Sequence, residues 1–284
     1  MKNITIIGTG YVGLVSGAGI SDFGHKVTCV DINEKIISSL NQGNIPIYEP
    51  GLMDLIERNV QARRLLFSTE IGRMIKNSEV ILIAVGTPEA EDGNADLTAV
   101  FSVADTIANH LNKYKVICTK STVPIGTGQK IAELIRFKTD QTFDYCSNPE
   151  FLREGYAWED FISPDRIIIG EADPKSGAIV EDLYKSFNSP IFKMSLNTAE
   201  YIKYLSNSLL STLISFANES SLIGDAIGGI DIKEAFEINV FKERFTPGAI
   251  TPPKYLSLIT TSNVVAVPKS NIIKFLFFEI TAIE

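Results

Sequence analysis

The sequence has few cysteines and no excess of positive charge. Its three cysteines, Cys29, Cys118 and Cys146, are widely spaced and form no Cys-x-x-Cys pair, so they predict reduced core residues rather than disulfides or zinc ligands. The net charge of −8 excludes the basic field that nucleic acid or an anionic membrane would require. No apolar stretch reaches membrane-spanning length, and the first residues do not resemble a signal peptide. We therefore expect a cytoplasmic protein with no metal site and no nucleic-acid or membrane partner.

The most informative stretch that is present is glycine-rich and lies near the amino terminus. An apolar run over residues 3–7 leads into a Gly-x-Gly-x-x-Gly motif, in which Gly8 permits a tight turn. Gly10 lets the backbone approach a pyrophosphate, and Gly13 lets the following helix pack closely. The next apolar run ends at Asp31, whose carboxylate would accept hydrogen bonds from a ribose and repel a 2′-phosphate. The stretch predicts an NAD site, the alternative being an ordinary structural turn.

Apolar strand-like runs recur along the first half of the chain, with helical patterns between them. Such runs are typical of a parallel sheet that is covered on both faces. We therefore predict the α/β class, with a doubly wound parallel sheet forming a Rossmann-like NAD-binding domain. The predicted strands lie at residues 3–7, 26–30, 79–85, 115–119 and 142–146, with shorter ones at 166–169 and 190–193.

A long helix is predicted from Asn197 to Ile227, where apolar residues recur at steps of three and four. Asn197 and Glu200 resemble a capping arrangement at its start, and Gly228 and Gly229 supply a stop. Its length is enough to link two domains or to form a dimer interface, so we expect a homodimer through this helix. The predicted domains are an NAD-binding domain at 1–196, the central helix and the start of a helical dimerisation domain at 197–238, and an atypical tail at 239–284.

Polar residues follow the predicted strands into the crevice where a cofactor would lie. Thr87 and Thr122 come after the third and fourth strands, where their hydroxyls would reach the nicotinamide half or a water, or else cap helices. Glu150 and Glu154, four residues apart, would share one face of a helical turn, or form part of a solvated turn.

The long helix carries a second pair at the same spacing. Lys203 and Asn207 project from one face, where a buried lysine can act as a base or stabilise an oxyanion. The alternative is that these two side chains belong to a solvent-exposed stripe of the helix. The only histidines, His25 and His110, do not follow a strand into the crevice, which argues against a histidine base.

A set of motifs occurs in order along the chain. The motifs are Gly8 to Leu14, Tyr48 to Leu52, Gly86 to Pro88 with Glu91 to Leu97, Lys120 to Thr127, Asn148 to Gly155, Pro164 to Arg166, and Asn197 to Asn207. Taken together, they resemble the UDP-glucose/GDP-mannose dehydrogenase family over residues 1–238, and most closely its UDP-glucose 6-dehydrogenase branch. The resemblance implies oxidation of the primary alcohol of a nucleotide sugar to a carboxylate, with two NAD.

The resemblance also implies individual roles. Lys203 would be a base or oxyanion partner, Asn207 would position the reacting group and a water, and Glu150 would act as acid or base in hydrolysis, with Thr122 beside them. Residues that would hold the cofactor are Gly8, Gly10, Tyr11, Val12, Gly13, Asp31, Lys35, Thr87, Thr122 and Glu154, the last on the nicotinamide side. Residues that would contact the sugar nucleotide are Glu150, Phe151, Leu152, Arg153, Glu154, Lys203 and Asn207.

The sequence departs from the family pattern after the long helix. Family members carry a nucleophilic cysteine there, in a Gly-Gly-x-Cys-x-Pro-Lys-Asp segment, followed by a nucleotide-binding domain. This sequence has no cysteine after Cys146, and its tail from residue 239 matches nothing expected at those positions. Without a thiolate, the aldehyde has no covalent path to the acid. We therefore expect a chain truncated before the catalytic cysteine and impaired in turnover.

Other interpretations stay open at this point. The chain could be a non-catalytic NAD-binding remnant or a dimer partner of a longer homologue. It could instead act on GDP-mannose or a UDP-N-acetylhexosamine. A β-hydroxyacid dehydrogenase also carries a lysine and an asparagine on its interdomain helix, although it would not account for the motifs at Tyr48 to Leu52 and Asn148 to Gly155.

Overall fold

The computed structural model describes residues 1–187 and 189–238. The described part contains eight strands and ten helices. The strands are β1 (Asn3–Ile7), β2 (Lys26–Val30), β3 (Leu65–Ser68), β4 (Val80–Ile83), β5 (Lys115–Thr119), β6 (Phe143–Ser147), β7 (Ile167–Glu171) and β8 (Ile191–Met194). The helices are α1 (Tyr11–Asp22), α2 (Glu34–Asn41), α3 (Leu52–Gln61), α4 (Ile71–Asn77), α5 (Thr98–His110), α6 (Thr127–Lys138), α7 (Ala157–Ile162), α8 (Pro174–Asp182), α9 (Leu196–Ile227) and α10 (Ile232–Ile238).

All eight strands form one sheet in the order β3-β2-β1-β4-β5-β6-β7-β8. The strands from β3 to β6 are parallel, in the order typical of dinucleotide-binding folds, which confirms the predicted doubly wound sheet. β7 pairs antiparallel with β6, and β8 is parallel to β7. The prediction missed β3, a short edge strand in which Leu66 is exposed and only Leu65 and Phe67 are buried.

Two hydrophobic clusters cover the two faces of this sheet. In β4, Val80 and Leu82 belong to one cluster, whereas Ile81 and Ile83 belong to the other. All four side chains are fully buried. Strands with both faces buried read as continuous apolar runs, which is why their positions could be predicted from the sequence.

The chain divides into two compact units, Met1–Tyr204 and the part from Leu205 onward, with the boundary within α9. α9 begins one residue earlier than predicted and ends at Ile227 as predicted, followed by two glycines with positive φ. In the described portion of the second unit, the Phe216 and Phe236 rings are 6.3 Å apart. The predicted tail, residues 239–284, lies outside the described residues.

The predicted capping arrangement at the start of α9 is wrong. The hydroxyl of Ser195, rather than the side chain of Asn197, accepts the amide hydrogen bond of Thr198, at 3.3 Å. Glu200 points instead to the loop that precedes α6. None of the helices in the described ranges is both long enough and apolar enough to span a bilayer.

Candidate active site

The glycine-rich turn between β1 and α1 leaves space for an anionic ligand. Gly8 has a φ of +108°, and a Cβ there would overlap the carbonyl of Ala84. A Cβ on Gly13 would overlap the carbonyl of Gly8, whereas the space beside Gly10 is open. The first amides of a helix have no intrahelical acceptor, so those at the start of α1, from Tyr11 onward, are suited to a phosphate. The turn therefore fits the pyrophosphate of a dinucleotide.

Asp31 lies at the carboxyl end of β2, beside this turn. Its Oδ2 accepts hydrogen bonds from the amide and the hydroxyl of Thr9, at 2.9 and 2.8 Å, and its Oδ1 accepts the amide of Asn33. The carboxylate is held in place yet partly exposed, as a ribose acceptor must be. Lys35 is exposed in the first turn of α2, and Val12 is partly buried against the core.

The loops after β4 and β5 contact each other. The hydroxyl of Thr87 donates a hydrogen bond to the carbonyl of Thr122, at 2.8 Å. Both residues are partly exposed at the carboxyl edge of the sheet. The Thr87 hydroxyl therefore joins the two loops, and its contact with a ligand stays a prediction.

A buried lysine that sequence reasoning missed joins the loops after β5 and β6. Lys120 Nζ lies 2.9 Å from Asn148 Oδ1 and 3.3 Å from the hydroxyl of Tyr184, which itself donates to Asn148 Oδ1 at 2.5 Å. Burial raises the pKa of Tyr184, and the nearby Lys120 opposes this. The available signal was positional, since Lys120 and Asn148 are each the first residue after a buried strand. Their contact fixes the segments that carry Thr122 and Glu150.

Two predicted catalytic residues from different elements form a buried ion pair. Lys203 Nζ, on α9, lies 2.9 Å from Glu150 Oε1, in the loop after β6. The two side chains are 8% and 14% exposed, respectively. The ammonium also lies 5.3 Å from the ring centre of Phe151, while Glu150 Oε2 accepts the amide of Leu152 at 2.5 Å. The structure thus brings the acid–base candidates together at the carboxyl edge of the sheet.

The segment from Glu150 to Glu154 differs from its prediction. Residues 150–153 are irregular rather than helical, and a turn follows at Glu154 and Gly155, where Glu154 is exposed. The guanidinium of Arg153 binds the carboxylate of Asp160 through two nitrogens, at 2.8 and 2.7 Å, and these hydrogen bonds raise the pKa of Arg153. The Arg153 side chain therefore holds the segment to α7. Asn207 is exposed on α9, one turn after Lys203.

Glu200, one turn before Lys203, fixes the start of α9 to the loop after β5. It is 2% exposed and accepts hydrogen bonds from the amides of Gly126 and Gly128, at 2.7 and 2.8 Å. Burial raises the pKa of Glu200, and the two amide hydrogen bonds oppose this. The contact holds Lys203 in register with the loop that carries Thr122.

The three cysteines are free and fully buried, which confirms their prediction as core residues. Burial raises the pKa of Cys29 and of Cys146 to about 12, and raises that of Cys118 as well. None of these thiols is therefore a thiolate at neutral pH. Within the part of the chain that the structure describes, no cluster of His, Cys, Asp or Glu side chains is suited to a metal ion.

Sequence profiles of one known family match most of the chain. The sequence profile of the UDP-glucose/GDP-mannose dehydrogenase family, NAD binding domain, matches residues 2–188, and that of the central domain matches residues 197–254. The chain belongs to the UDP-glucose/GDP-mannose dehydrogenase family. Residues 2–188 are its NAD-binding domain, and NAD is its cofactor. The central-domain match extends beyond residue 238, where the sequence analysis ended the resemblance.

Curated relatives are named UDP-glucose 6-dehydrogenase. The chain is 50% identical to the protein TuaD of Bacillus subtilis over 230 residues, which cover 80% of this chain and 50% of TuaD. It is 45% identical to the Rhizobium meliloti enzyme over 233 residues, covering 79% and 53% of the two chains. The chain spans about half the length of the curated relatives it matches.

Solved structures of the same family share the fold. A UDP-glucose dehydrogenase from the archaeon Pyrobaculum islandicum matches with a TM-score of 0.80 and 38% identity, over 84% of this chain and 56% of that one. A GDP-mannose dehydrogenase from Pseudomonas aeruginosa matches with a TM-score of 0.80 and 34% identity, over 83% of this chain and 56% of that one. These likenesses agree with the Rossmann-like sheet described above.

Proposed function

We propose that this chain binds NAD and oxidises the primary alcohol of a nucleotide sugar, with UDP-glucose as the substrate. The observation that carries the proposal is the buried ion pair of Lys203 and Glu150 beside a dinucleotide turn. UDP-glucose is favoured over other nucleotide sugars because the curated relatives at 45% and 50% identity carry that name.

The ion pair supplies what the oxidation requires of the protein. NAD, when bound, accepts the hydride that leaves the alcohol carbon. The carboxylate of Glu150 accepts the hydroxyl proton, and the ammonium of Lys203 stabilises the oxygen as negative charge develops on it. One such donor in a site shielded from water is worth about 3 kcal/mol. Because Lys203 is 6% exposed, bulk water screens this interaction little.

The remaining predicted site residues take positions around that pair in this proposal. Amides from Gly10 to Gly13 hold the pyrophosphate, and Asp31 and Lys35 lie at the adenosine end. Thr87, Thr122 and Glu154 line the nicotinamide side. The backbone of residues 150–154 contacts the sugar nucleotide, and Asn207 orients the reacting group.

We also propose a homodimer through α9 and a cytoplasmic location. Exposed apolar side chains recur along the part of α9 in the second unit and favour burial against a partner. They are Leu205, Leu209, Phe216, Leu222, Ile223 and Ile227. Light scattering coupled to gel filtration tests the dimer, and a monomer at micromolar concentration would contradict it. The free cysteines are consistent with a reducing compartment.

Calorimetry with NAD and an assay of NADH release test the proposed function. UDP-glucose, GDP-mannose and UDP-N-acetylglucosamine are supplied in parallel, with a 3-hydroxy acid as the control for another dehydrogenase class. We expect NAD binding and slow NADH release with UDP-glucose, limited to one NADH per sugar. Two NADH per sugar at a rapid rate would contradict the expected impairment. NAD binding without release would favour a non-catalytic NAD-binding subunit.

A further inference from the structure

The carboxylate of Glu49 contacts two segments to which different ligands are assigned. Glu49 is 5% exposed and lies between α2 and α3, outside the predicted site residues. Its Oε1 is 2.6 Å from the hydroxyl of Tyr11 and 2.6 Å from the amide of Gly155, and its Oε2 is 3.0 Å from the amide of Ala157. We call these four residues the Glu49 cluster. Tyr11 belongs to the cofactor turn, whereas Gly155 follows the segment that carries Glu150.

The hydroxyl of Tyr11 donates its hydrogen bond to Glu49, as do the two backbone amides of this cluster. Burial raises its pKa, and the hydrogen bond to Glu49 raises it further, so the proton stays on the tyrosine. The charges of Glu154 and Glu150 also raise the pKa of Tyr11. The carbonyl of Arg153 is a second acceptor, at 2.9 Å. The cofactor turn and the segment from residue 150 to residue 155 thus meet at one hydroxyl.

We propose that Glu49 is a positioning residue that couples occupancy of the cofactor turn to the order of residues 150–155, through the hydroxyl of Tyr11. The inference rests on the proposed function, because it takes NAD as the ligand of the turn. A ligand on the first amides of α1 fixes Tyr11, and its hydroxyl then holds Glu49 with both oxygens toward Gly155 and Ala157. Linkage is reciprocal, so a sugar nucleotide bound by the segment strengthens NAD binding equally.

A purely structural role for Glu49 makes a different prediction. As a cap on the first amide of α7, Glu49 would stabilise Ala157 and its neighbours equally with and without NAD. Coupling instead requires that NAD slow the exchange of these amides, and that removal of the Tyr11 hydroxyl abolish the slowing. The quantity to measure is therefore a difference caused by the ligand.

Hydrogen exchange on the full chain, with and without saturating NAD, measures that difference. We expect NAD to slow exchange in peptides covering residues 150–158 by about fivefold or more, the lower end of typical coupling energies. In Tyr11→Phe and in Glu49→Gln this slowing is lost, and in Glu49→Gln the affinity for NAD stays within about threefold of the parent. Tyr114→Phe is the matched control, because it removes another hydroxyl that donates to a carboxylate, that of Asp144. In Tyr114→Phe, NAD should slow exchange in these peptides as much as it does in the parent.

Fluorescence of the chain's single tryptophan gives a second measurement of the change that NAD causes in this segment. Trp158 lies in α7, its ring stacked 6.4 Å from that of Phe161. NAD changes its emission in the parent and in Tyr114→Phe, but much less in Tyr11→Phe.

Each other outcome overturns the inference. Equal slowing in Tyr11→Phe and the parent would show that the hydroxyl carries no coupling. Loss of NAD binding in Tyr11→Phe would assign the hydroxyl to the cofactor itself. NAD binding without any slowing in the parent would remove the coupling and leave the proposed function standing. Absence of NAD binding in the parent would contradict the proposed function, and the inference with it.

Discussion

Lys115 and Lys203 are both buried lysines, and their surroundings are opposite. Lys203 faces the carboxylate of Glu150 at the carboxyl edge of the sheet. Lys115, fully buried at the amino end of β5, donates instead to the backbone carbonyls of Lys76 and Ser78, at 3.2 and 2.6 Å. Burial lowers the pKa of Lys115 to about 8. Burial of a lysine alone therefore does not indicate catalysis, and the role proposed for Lys203 rests on its place at the carboxyl edge of the sheet and on its carboxylate partner.

The largest difference between the two lysines should appear in the reaction rate. Lys203→Met removes the cation that stabilises the developing oxyanion, so NADH release with UDP-glucose should fall by about 10²- to 10³-fold. NAD affinity, measured by calorimetry, should stay close to that of the parent. Lys115→Met is the matched control and should keep the parental rate. An equal fall in both variants would show that the proposed distinction is wrong.

Removing the carboxylate partner of Lys203 should lower the free energy of unfolding, which tests whether the charge of Lys203 needs that partner. Glu150→Ala leaves the charge of Lys203 buried without that partner, which should cost about 3 kcal/mol in the free energy of unfolding, measured with urea. Adding Lys203→Met to Glu150→Ala should restore part of that loss, because no unpaired charge is then buried. If the double variant is no more stable than Glu150→Ala, the charge of Lys203 is not the cause.

Lys115 should contribute to the pH dependence of the free energy of unfolding. Its pKa of about 8 in the folded chain lies below the ordinary value of 10.5, so the unfolded chain binds more protons between those values. The free energy of unfolding should therefore rise with pH in this window, by about 2 kcal/mol between pH 7.5 and 9.5. Urea titrations of the parent and of Lys115→Met measure this contribution as the change in their difference. A constant difference would exclude it.

The smallest expected effect concerns the residue that fixes Lys203 in register. Glu200→Gln keeps the size of the side chain but places an amide group near one of the two backbone donors, Gly126 or Gly128. We expect a loss of about 1 kcal/mol in the free energy of unfolding. Glu219→Gln, an exposed site on the same helix, should change it by less than about 0.5 kcal/mol. Equal effects would remove the special role of Glu200.

How far the sequence could predict the structure depended on the range of each interaction. The parallel strands, the Gly8 turn and the extent of α9 depend on local periodicity and turn chemistry, and these predictions are confirmed. The partner of Glu200 was mispredicted, because a contact with Gly126, 74 residues away in the chain, leaves no local pattern. No role was assigned to Lys120 for the same reason, since its role comes from Asn148, in the loop after the neighbouring strand.

The candidate site was predicted as a list of residues rather than as an arrangement. Lys203 and Glu150 were each identified, but their pairing follows from the path of α9, which the sequence did not specify. The helical turn predicted over Glu150 to Glu154 failed because Arg153 and Glu49 hold that segment by contacts with α7 and the cofactor turn.

The reversed direction of β7 determines what reaches the ligand edge of the sheet. Because β7 runs opposite to β6, its amino end lies at that edge, and Arg166 there stacks 4.6 Å from the ring centre of Phe151. β8 runs the same way as β7, and Met194 at its end pairs with Gly170, which pairs in turn with Ser147, the last residue of β6. The chain therefore leaves β8 level with the carboxyl end of β6, and the seven residues from Leu196 to Lys203 rise about 10 Å along the helix axis. The short antiparallel overlap of β6 and β7 thus determines where α9 begins, and with it the position from which Lys203 reaches Glu150.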